Sequence, residues 1–404
     1  MDTAAGLTHG DPESVGMDAD RIDKVRALIR EQVSSGRSPS IAAVVARKGT
    51  IVLEEAHGVQ RPGGLPLEID HMFPVASITK PFTAAVVMAL VEQGRIGLMQ
   101  RIVDYLPDFD DGTLDDVLVH HLLTHTTGWD TPQFGNAEMA QVYNEARSAV
   151  DMSARPADRD VVDWLGIETL KHVPRSRPAG ELMVYHSASY DLLGEIVRRV
   201  CGSTLHDAMS RYVSDPLGLA DSAVIVDEPY RDRVVERDPA LPFGSAETSE
   251  FGIGFQGDLW WLMDSGGGGL HISARDMLTF CQMILAGGTY NGQRVLSRAA
   301  VRAMTTNQIP GTGAAFGPLL LPEASWAYGF TIRGAGTLNY FGGSFATPGT
   351  ATHPGAGGMD VWIDFDNELV AVYFECVTDI STLGQPVSSR GNRFADMVLA
   401  SVVG

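Results

Sequence analysis

Ser77 and Lys80 stand three residues apart at the start of an apolar run that covers residues 83–90. Residues at positions i and i+3 lie on the same face of a helix, so the Lys80 amine can reach the Ser77 hydroxyl. A hydroxyl is a weak nucleophile until a neighbouring group takes its proton, and an amine at this spacing can do so. The alternative is structural, with Ser77 capping a buried helix and the Lys80 stem packing along it. The short S-x-x-K motif by itself leaves both interpretations open.

Two other motifs contain residue types that are common in metal-binding or phosphate-binding sites, but neither motif is complete. His120, His121 and His125 lie close together, and the second and third of them could share one helix face. No H-E-x-x-H pattern, no carboxylate at a fixed spacing and no cysteine pair completes a ligand set, so we predict structural roles and expect no metal or other cofactor. The four glycines at 266–269 are not followed by Gly-Lys-Ser/Thr. They predict flexible backbone beside a cleft and not a phosphate-binding loop.

The composition indicates a large globular protein whose negative charge disfavours binding to polyanions. The chain has 404 residues, of which 44% are hydrophobic and 20% are charged. Such a chain can bury a large core, in two lobes or in one domain with an insertion. Fifty acidic and thirty basic residues give a formal charge of −20, which repels nucleic acid and anionic lipid. We therefore expect neither a nucleic-acid partner nor a membrane partner.

The cysteines and the N-terminal sequence bear on the cellular compartment. Cys201, Cys281 and Cys376 are far apart and have apolar neighbours, which is typical of packed, reduced thiols in a cytosolic protein. Residues 1–20 include acidic side chains and no apolar run, so we predict neither a signal peptide nor a membrane anchor. A cytoplasmic location is the expectation, although a precursor that had lost its leader would show the same N-terminus.

Strand and helix patterns occur together near both ends of the chain. The strand patterns cover residues 41–47, 51–57, 326–332, 357–364 and 369–374. The helical patterns cover residues 18–33, 274–285 and 393–402. These patterns predict one antiparallel sheet, assembled from both ends of the chain and flanked by the terminal helices.

The middle of the chain has helical patches, joined by polar connections, and no strand pattern. The patches cover residues 114–123, 161–170 and 190–200. The helix that follows Ser77 is apolar on nearly all sides, which is typical of a helix inside a core. The sequence therefore predicts an α+β fold. Residues 1–85 and 265–404 would form a discontinuous α/β sheet domain, and residues 86–264 a mostly helical domain.

Five short motifs occur along the chain in a fixed order. They are Ser77-Ile-Thr-Lys80, the H-L-L-T-H-T-T-G run at 121–128, Tyr185-His-Ser187 with Leu192-Leu-Gly194, the loop Ser265-Gly-Gly-Gly-Gly-Leu270, and His353-Pro-Gly355 with Trp362-Ile-Asp364. In this order they resemble the serine β-lactamase and penicillin-binding-protein-like superfamily, a β-lactamase/transpeptidase-like fold. Within it the chain is most similar to class C β-lactamases and family VIII carboxylesterases. The resemblance runs from about residue 12 to the C-terminus.

The resemblance implies roles for the residues of these motifs. Ser77 would be the nucleophile, Lys80 its proton partner, and Tyr185, in the place of the family's Y-x-N tyrosine, a second acid/base. The His353 motif falls where the family has Lys-Thr-Gly, or His-x-Gly and Trp-Gly-Gly in its esterase relatives, so the backbone N–H of Ala356 would join that of Ser77 in an oxyanion hole. From the residues alone, Tyr185 can also be a hydrogen-bonded core tyrosine, and His353 a strand-end histidine without chemistry.

Two positions depart from the family pattern and bear on the substrate. Position 187 is Ser where relatives often have Asn, so the amide that would hold the acyl side of a substrate is missing. Position 353 is His and not the Lys of the Lys-Thr-Gly motif, and a histidine with an ordinary pKa near 6.5 is mostly neutral at pH 7.5. Ser187, His353 and Gly355 are expected to line the substrate site without a fixed positive charge. Phe341-Gly-Gly-Ser344, a minor alternative for the third motif, lies too far before Trp362 for the family's spacing.

The sequence thus predicts a metal-free serine hydrolase that works through an acyl-enzyme, and it favours a carboxylesterase acting on uncharged esters. A β-lactamase, D-aminopeptidase, DD-peptidase-type amide hydrolase or acyltransferase with the same Ser-Lys-Tyr site stays open, because fold and nucleophile do not determine the acceptor. A non-catalytic binding protein on this scaffold is a further alternative, against which the presence of all three site residues argues. The expected partner is a small ester or amide substrate, and the oligomeric state does not follow from the sequence.

Overall fold

A seven-stranded sheet made from both ends of the chain is the centre of the fold. The computed structural model describes residues 6–404 except 62, 110–111, 134–135, 158, 160, 228–229, 237–260, 317–318, 335–341 and 377–388. Over these residues the strands are β1 (Thr8–His9), β2 (Ser40–Arg47), β3 (Thr50–Gly58), β4 (Phe73–Pro74), β5 (Met183–Val184), β6 (Ser222–Ala223), β7 (His271–Ile272), β8 (Thr289–Tyr290), β9 (Gln293–Arg294), β10 (Ala314–Phe316), β11 (Leu319–Leu321), β12 (Thr331–Ile332), β13 (Ala351–Gly355), β14 (Met359–Asp364) and β15 (Leu369–Glu375). The helices are α1 (Ala19–Ser34), α2 (Thr79–Glu92), α3 (Val119–Leu123), α4 (Ala137–Ser148), α5 (Val161–Leu170), α6 (Ala188–Cys201), α7 (Leu205–Met209), α8 (Asp215–Leu217), α9 (Ala274–Leu285), α10 (Arg298–Met304) and α11 (Ser389–Leu399).

The sheet joins the N-terminal strands to the C-terminal strands. Its strand order is β1-β3-β2-β15-β14-β13-β12. Neighbouring strands are antiparallel, except that β1 and β3 are parallel. The two ends of the chain meet where β2 lies beside β15, with Val44 opposite Val372. The predicted α+β fold with one antiparallel sheet from both chain ends is confirmed.

Helices cover both faces of this sheet, because successive side chains of a strand point to opposite faces. One apolar cluster takes alternate residues of β2 together with α1 and α11; its β2 members are Ile41, Ala43 and Val45. The larger cluster takes the other residues of β2 together with α2 and α9; its β2 members are Ala42, Val44 and Ala46. The helix α2 is buried along nearly its whole length, as its apolar sequence predicts.

The helical elements of residues 86–264 gather around α6, which contacts α2, α3, α5 and α7. The predicted helical character is confirmed for the described residues of this stretch, with one correction. The strands β5 and β6 interrupt it, and each has only two residues. Two residues are too few to show the alternation by which a strand is identified in a sequence. The division into two domains stays a prediction.

Two C-terminal strands differ from the predicted ones. The pattern at 326–332 forms strand only at β12, where Trp326 makes an isolated bridge with Thr331. The strand β13 is not predicted, because it contains Pro354 and Gly355, which are disfavoured inside sheets. On the side away from β14, it pairs with β12 only at residues 351 and 352. Pro354 therefore lies at an edge, where proline is tolerated.

Two findings bear on the expected compartment. Cys281 and Cys376 are buried, and Cys201 is half-buried. Within the described ranges, the structure contains no helix with the length and apolar character needed to cross a bilayer.

Candidate active site

Ser77 is the accessible residue of an otherwise buried segment. Every residue from 72 to 90 is buried except Ser77, which is half-buried. It lies in a short 3₁₀ turn before α2, and the preceding Ala76 has a left-handed backbone with φ of 47°. Such a backbone is strained for a residue other than glycine and recurs at functional sites. Thr79 holds the turn, because its hydroxyl donates to the Ala76 carbonyl oxygen at 2.6 Å and accepts from the Leu270 N–H at 2.9 Å.

Lys80 lies one turn further along α2 and is fully buried. Its Nζ donates to Ser77 Oγ at 3.1 Å, to Ser187 Oγ at 3.3 Å and to the Gly267 carbonyl oxygen at 2.7 Å. The same nitrogen lies 4.9 Å from the centroid of the Tyr185 ring. Oxygen acceptors and an aromatic face stabilise a buried ammonium. In the neutral form, the lone pair of the amine can accept the Ser77 proton across the 3.1 Å contact.

Tyr185 directly follows β5, and its ring packs among other rings. The ring centroid lies 4.6 Å from that of His125, 5.7 Å from that of Trp326 and 6.3 Å from that of His353. The structure thus brings Tyr185 to Lys80 from a distant part of the chain. Its role as an acid/base stays a prediction.

His353 lies on β13 beside Tyr185, and its side chain is fully buried. Burial, together with the nearby Lys80 charge, lowers the pKa of His353 to about 3. The ring Nδ1 lies 2.7 Å from the Pro354 carbonyl oxygen, which can only accept, so Nδ1 carries the hydrogen and Nε2 is bare. The expectation of an ordinary imidazole pKa is therefore wrong. His353 is neutral even in mildly acidic solution.

Gly355 lets β13 approach the turn that holds Ser77. A Cβ atom at this position would lie 2.3 Å from the Val75 carbonyl oxygen, which is closer than real Cβ atoms come. Only glycine therefore allows this approach of the two backbones. Ala356 is the next residue and is half-buried. An oxyanion hole made by its N–H and that of Ser77 stays a prediction, for which the close approach of strand and turn is a precondition.

Gln133 joins the site although the sequence patterns did not identify it. Its Nε2 donates at 3.2 Å to Ser187 Oγ, the hydroxyl that also accepts from Lys80. Its Oε1 is buried and has no hydrogen-bond partner within the described part of the chain. A side-chain amide therefore lies beside Ser187, although position 187 itself has none. The sequence carries no signal for this contact, because Gln133 stands alone in a polar connection 54 positions before Ser187.

The three neighbouring histidines have separate structural partners. His120 Nδ1 lies 2.9 Å from the Tyr328 hydroxyl, and His121 Nδ1 accepts from the Leu118 N–H at 3.0 Å. Burial lowers the pKa of His121 to about 4. The third, His125, packs against the Tyr185 ring. Among the described residues, no three His, Cys, Asp or Glu side chains are grouped so that they could hold a metal ion. These contacts agree with the predicted structural roles.

The glycine run at 266–269 is buried between α2 and α6, so the prediction of flexible backbone beside a cleft is wrong. A Cβ atom at Gly266 would lie 2.3 Å from the Tyr190 carbonyl oxygen. Thr83 on α2 donates to the Gly266 carbonyl oxygen at 2.9 Å. Position 266 requires glycine because its backbone passes at contact distance from both helices. The tight packing fixes the Gly267 carbonyl that accepts from Lys80.

The apolar hairpin β10–β11 stands beside Tyr185. The strand β10 pairs in parallel with β5, and the Phe316 and Tyr185 rings stack with centroids 6.4 Å apart. Residues opposite each other on paired strands share a face, so Leu319, opposite Phe316, lies on the Tyr185 side. Leu320, opposite Ala315, lies on the other face and is 72% exposed. The hairpin thus adds apolar surface next to Tyr185.

Comparisons with known proteins agree on the architecture. The family model described as Beta-lactamase matches residues 25–375. The chain is 30% identical to Esterase EstB of Burkholderia gladioli over 366 residues, which are 84% of this chain and 89% of EstB. It shares its fold with a family VIII carboxylesterase, at a TM-score of 0.74 and 22% identity over 96% of this chain and 99% of the other. It also shares its fold with a penicillin-binding protein homologue from Caulobacter crescentus, at a TM-score of 0.73 and 23% identity over 95% and 98% of the chains.

Proposed function

The chain belongs to the Beta-lactamase family of hydrolases, and on this premise we propose that it is a carboxylesterase that cleaves uncharged esters through an acyl-enzyme on Ser77. One observation carries the proposal. Lys80 Nζ lies 3.1 Å from Ser77 Oγ, the oxygen of the one accessible residue in the buried segment 72–90. The similarity to EstB, an esterase by name, supports ester cleavage over amide cleavage.

In this mechanism the neutral Lys80 amine accepts the Ser77 proton as Oγ attacks the ester carbonyl carbon. The N–H groups of Ser77 and Ala356 stabilise the oxyanion of the tetrahedral intermediate. The intermediate collapses, the bond to the alcohol oxygen breaks, and Tyr185 gives that oxygen a proton, which Lys80 restores. Water then attacks the acyl-enzyme and gives a proton to Tyr185 while Tyr185 passes its own proton to the Lys80 amine. The second tetrahedral intermediate collapses, its bond to Ser77 Oγ breaks, Lys80 returns the proton to that oxygen, and the acid leaves.

The neutral His353 bears on the charge of the substrate. Penicillins and peptidoglycan stem peptides present a carboxylate, which a lysine at this position would meet with a permanent cation. With a pKa of about 3, His353 offers no such cation. Loss of a charge-assisted contact forfeits about 1.5–3 kcal/mol, or roughly ten- to a hundredfold in kcat/KM. Uncharged esters have no carboxylate, so the absence of a cation at position 353 does not weaken their binding.

We expect kcat/KM for p-nitrophenyl butyrate to exceed that for nitrocefin by at least about tenfold. The ratio should stay constant from pH 5 to pH 9, because His353, with a pKa of about 3, gains no proton in this range. His353→Lys should narrow the ratio, whereas His353→Gln, which is neutral like the native imidazole, should not. The ratio of the two kcat/KM values is measured by steady-state kinetics on both substrates. Equal turnover of the two, or a ratio that falls below pH 6.5, would contradict the role of a neutral His353.

The apolar hairpin predicts a preference for esters of apolar alcohols, because Tyr185, the proposed donor to the leaving alcohol, lies beside Phe316. Each methylene group that loses apolar contact costs about 0.8 kcal/mol. Phe316→Ala and Leu319→Ala should therefore reduce kcat/KM for hexyl butyrate about four- to fifteenfold and change that for methyl butyrate less than about twofold.

Leu320→Ala is the matched control for these variants. It removes the same kind of apolar side chain from the opposite face of the same hairpin and should leave both rates unchanged. Release of acid from the two esters can be followed by titration at constant pH. Equal losses on both esters, or a loss in Leu320→Ala, would show that the hairpin does not bind the alcohol.

Amide hydrolysis is the second candidate, and Gln133 favours it. The glutamine amide lies beside Ser187 with a buried Oε1 that has no partner among the described residues, so it can accept from an amide N–H of a substrate. A D-alanyl-D-alanine peptide and nitrocefin, assayed beside p-nitrophenyl butyrate, test it. Faster turnover of either one would make amide hydrolysis the function.

A further inference from the structure

Asp191 is a buried carboxylate close to the site that the mechanism above does not use. It lies in the first turn of α6 and is 3% exposed. Its Oδ1 accepts from the Ser265 hydroxyl at 2.6 Å and from the Gly267 N–H at 3.0 Å. Its Oδ2 is buried and has no hydrogen-bond partner in the described ranges. A carboxylate that is half satisfied and buried is costly unless a nearby cation balances it.

Gly267 connects this carboxylate to the catalytic amine. Its N–H donates to Asp191, and its carbonyl oxygen accepts the 2.7 Å hydrogen bond from Lys80 Nζ. Ser265 Oγ reinforces the loop, since it also accepts from the N–H groups of Gly267 and Gly268 at 3.2 and 3.1 Å. Asp191 therefore holds the loop that supplies an acceptor to Lys80.

Asp191 also interacts electrostatically with Lys80, in surroundings that include three neutral imidazoles. The titratable groups that face the amine from the surrounding elements are His125 after α3, Tyr185 and His186 between β5 and α6, Tyr190 and Asp191 in α6, and His353 in β13. Burial and the Lys80 charge hold the pKa of each of these three imidazoles far below its ordinary value, to about 3 for His186 and His353. Burial raises the pKa of Asp191, and its two donors and Lys80 oppose that rise. Among these six titratable groups, Asp191 is the carboxylate.

We propose that Asp191 is a positioning residue for the Lys80 amine, acting both through its negative charge and through the Gly267 loop. This inference rests on the proposed roles of Ser77 and Lys80. A nearby negative charge favours the protonated amine, so Asp191 raises the pH above which Lys80 serves as a base. It also balances the ammonium that forms when Lys80 takes the Ser77 proton.

The test follows the rate at which a fluorophosphonate labels Ser77 as the pH is varied. Labelling needs the activated hydroxyl but no ester substrate. Asp191→Asn keeps an oxygen acceptor for Ser265 and Gly267 and removes the charge. The acidic limb of the profile is the pH range in which the labelling rate falls below its plateau as the solution becomes more acidic. We expect the midpoint of this limb to lie about one pH unit lower in Asp191→Asn than in the wild type. Well below the limb, its labelling rate relative to the plateau should then be about tenfold higher than in the wild type.

Two variants separate charge from other effects. Ser265→Ala keeps the Asp191 carboxyl group but loosens the loop, so its plateau should fall about three- to tenfold while its acidic limb moves less than that of Asp191→Asn. Asp276→Asn is the control for the substitution itself, because it makes the same change at another buried acidic side chain, on α9, whose carboxyl group accepts from the Asp221 N–H at 2.7 Å. Its limb and plateau should equal those of the wild type.

An acidic limb in Asp191→Asn within about 0.3 pH unit of the wild type would overturn the proposal, since a purely structural carboxylate would not move it. The melting temperature shows whether Asp191→Asn folds. If it does not, the acidic limb is measured in Asp191→Ser, which removes the charge with a smaller side chain. A wild-type protein that is not labelled at Ser77 would instead refute the proposed function. The two failures are therefore distinguishable.

Discussion

Ser77→Ala is expected to reduce kcat/KM for p-nitrophenyl butyrate by at least about 10⁴-fold. Without the hydroxyl no acyl-enzyme forms, and the remaining oxyanion donors assist only the slow attack of water. The fold should persist, because the change removes one oxygen from a half-buried residue at a helix start, which costs about 1 kcal/mol. Steady-state kinetics and thermal unfolding followed by circular dichroism measure the two effects.

Covalent labelling decides which hydroxyl is the nucleophile. Ser187 is the matched control, because its Oγ also lies within 3.3 Å of Lys80 Nζ. A fluorophosphonate should add one label to the wild type and to Ser187→Ala, and mass spectrometry should locate it on Ser77 in both. A label that disappears in Ser187→Ala, or one that persists in Ser77→Ala, would refute the assignment. A wild-type protein without any label would favour a non-catalytic binding protein on this scaffold.

Lys80→Met should lower kcat/KM by about 10³-fold, within the range for loss of a general base. Methionine occupies a similar buried volume but cannot take the Ser77 proton, and it leaves the Gly267 carbonyl oxygen without this donor. Lys80→Arg should be similarly inactive, because a guanidinium keeps the charge but does not release a proton near neutral pH.

Lys171→Met is the control for removal of a lysine. Lys171 follows α5, and its Nζ pairs with Glu168 at 2.7 Å, so its loss should leave kcat/KM unchanged. Melting temperatures of all three variants separate loss of chemistry from loss of fold. Near-normal activity of Lys80→Arg would show that a fixed charge suffices and would contradict the proton-partner role.

The features that could be predicted from the sequence depend on residues close together along the chain. The three-residue step from Ser77 to Lys80 places both side chains on one helix face, and the structure brings Nζ to 3.1 Å from Oγ. Short apolar runs bounded by turn residues predicted β2 and β15, whose pairing closes the sheet. The same reasoning failed at β13, where Pro354 and Gly355 suppress the strand signal although an edge position tolerates them.

The sequence by itself determined the fold class, the Ser77–Lys80 pair and the order of motifs that resembles the family, because these depend on local periodicity and spacing. Only the tertiary structure decided that His353 stays neutral in mildly acidic solution as well, since its pKa of about 3 results from burial and from a lysine on another element. It also placed Gln133 beside Ser187, 54 positions away, and Asp191 beside Gly267, 76 positions away. Burial, charge and hydrogen-bond partners are properties of neighbours in space, and the spacing of residues along the chain does not encode them.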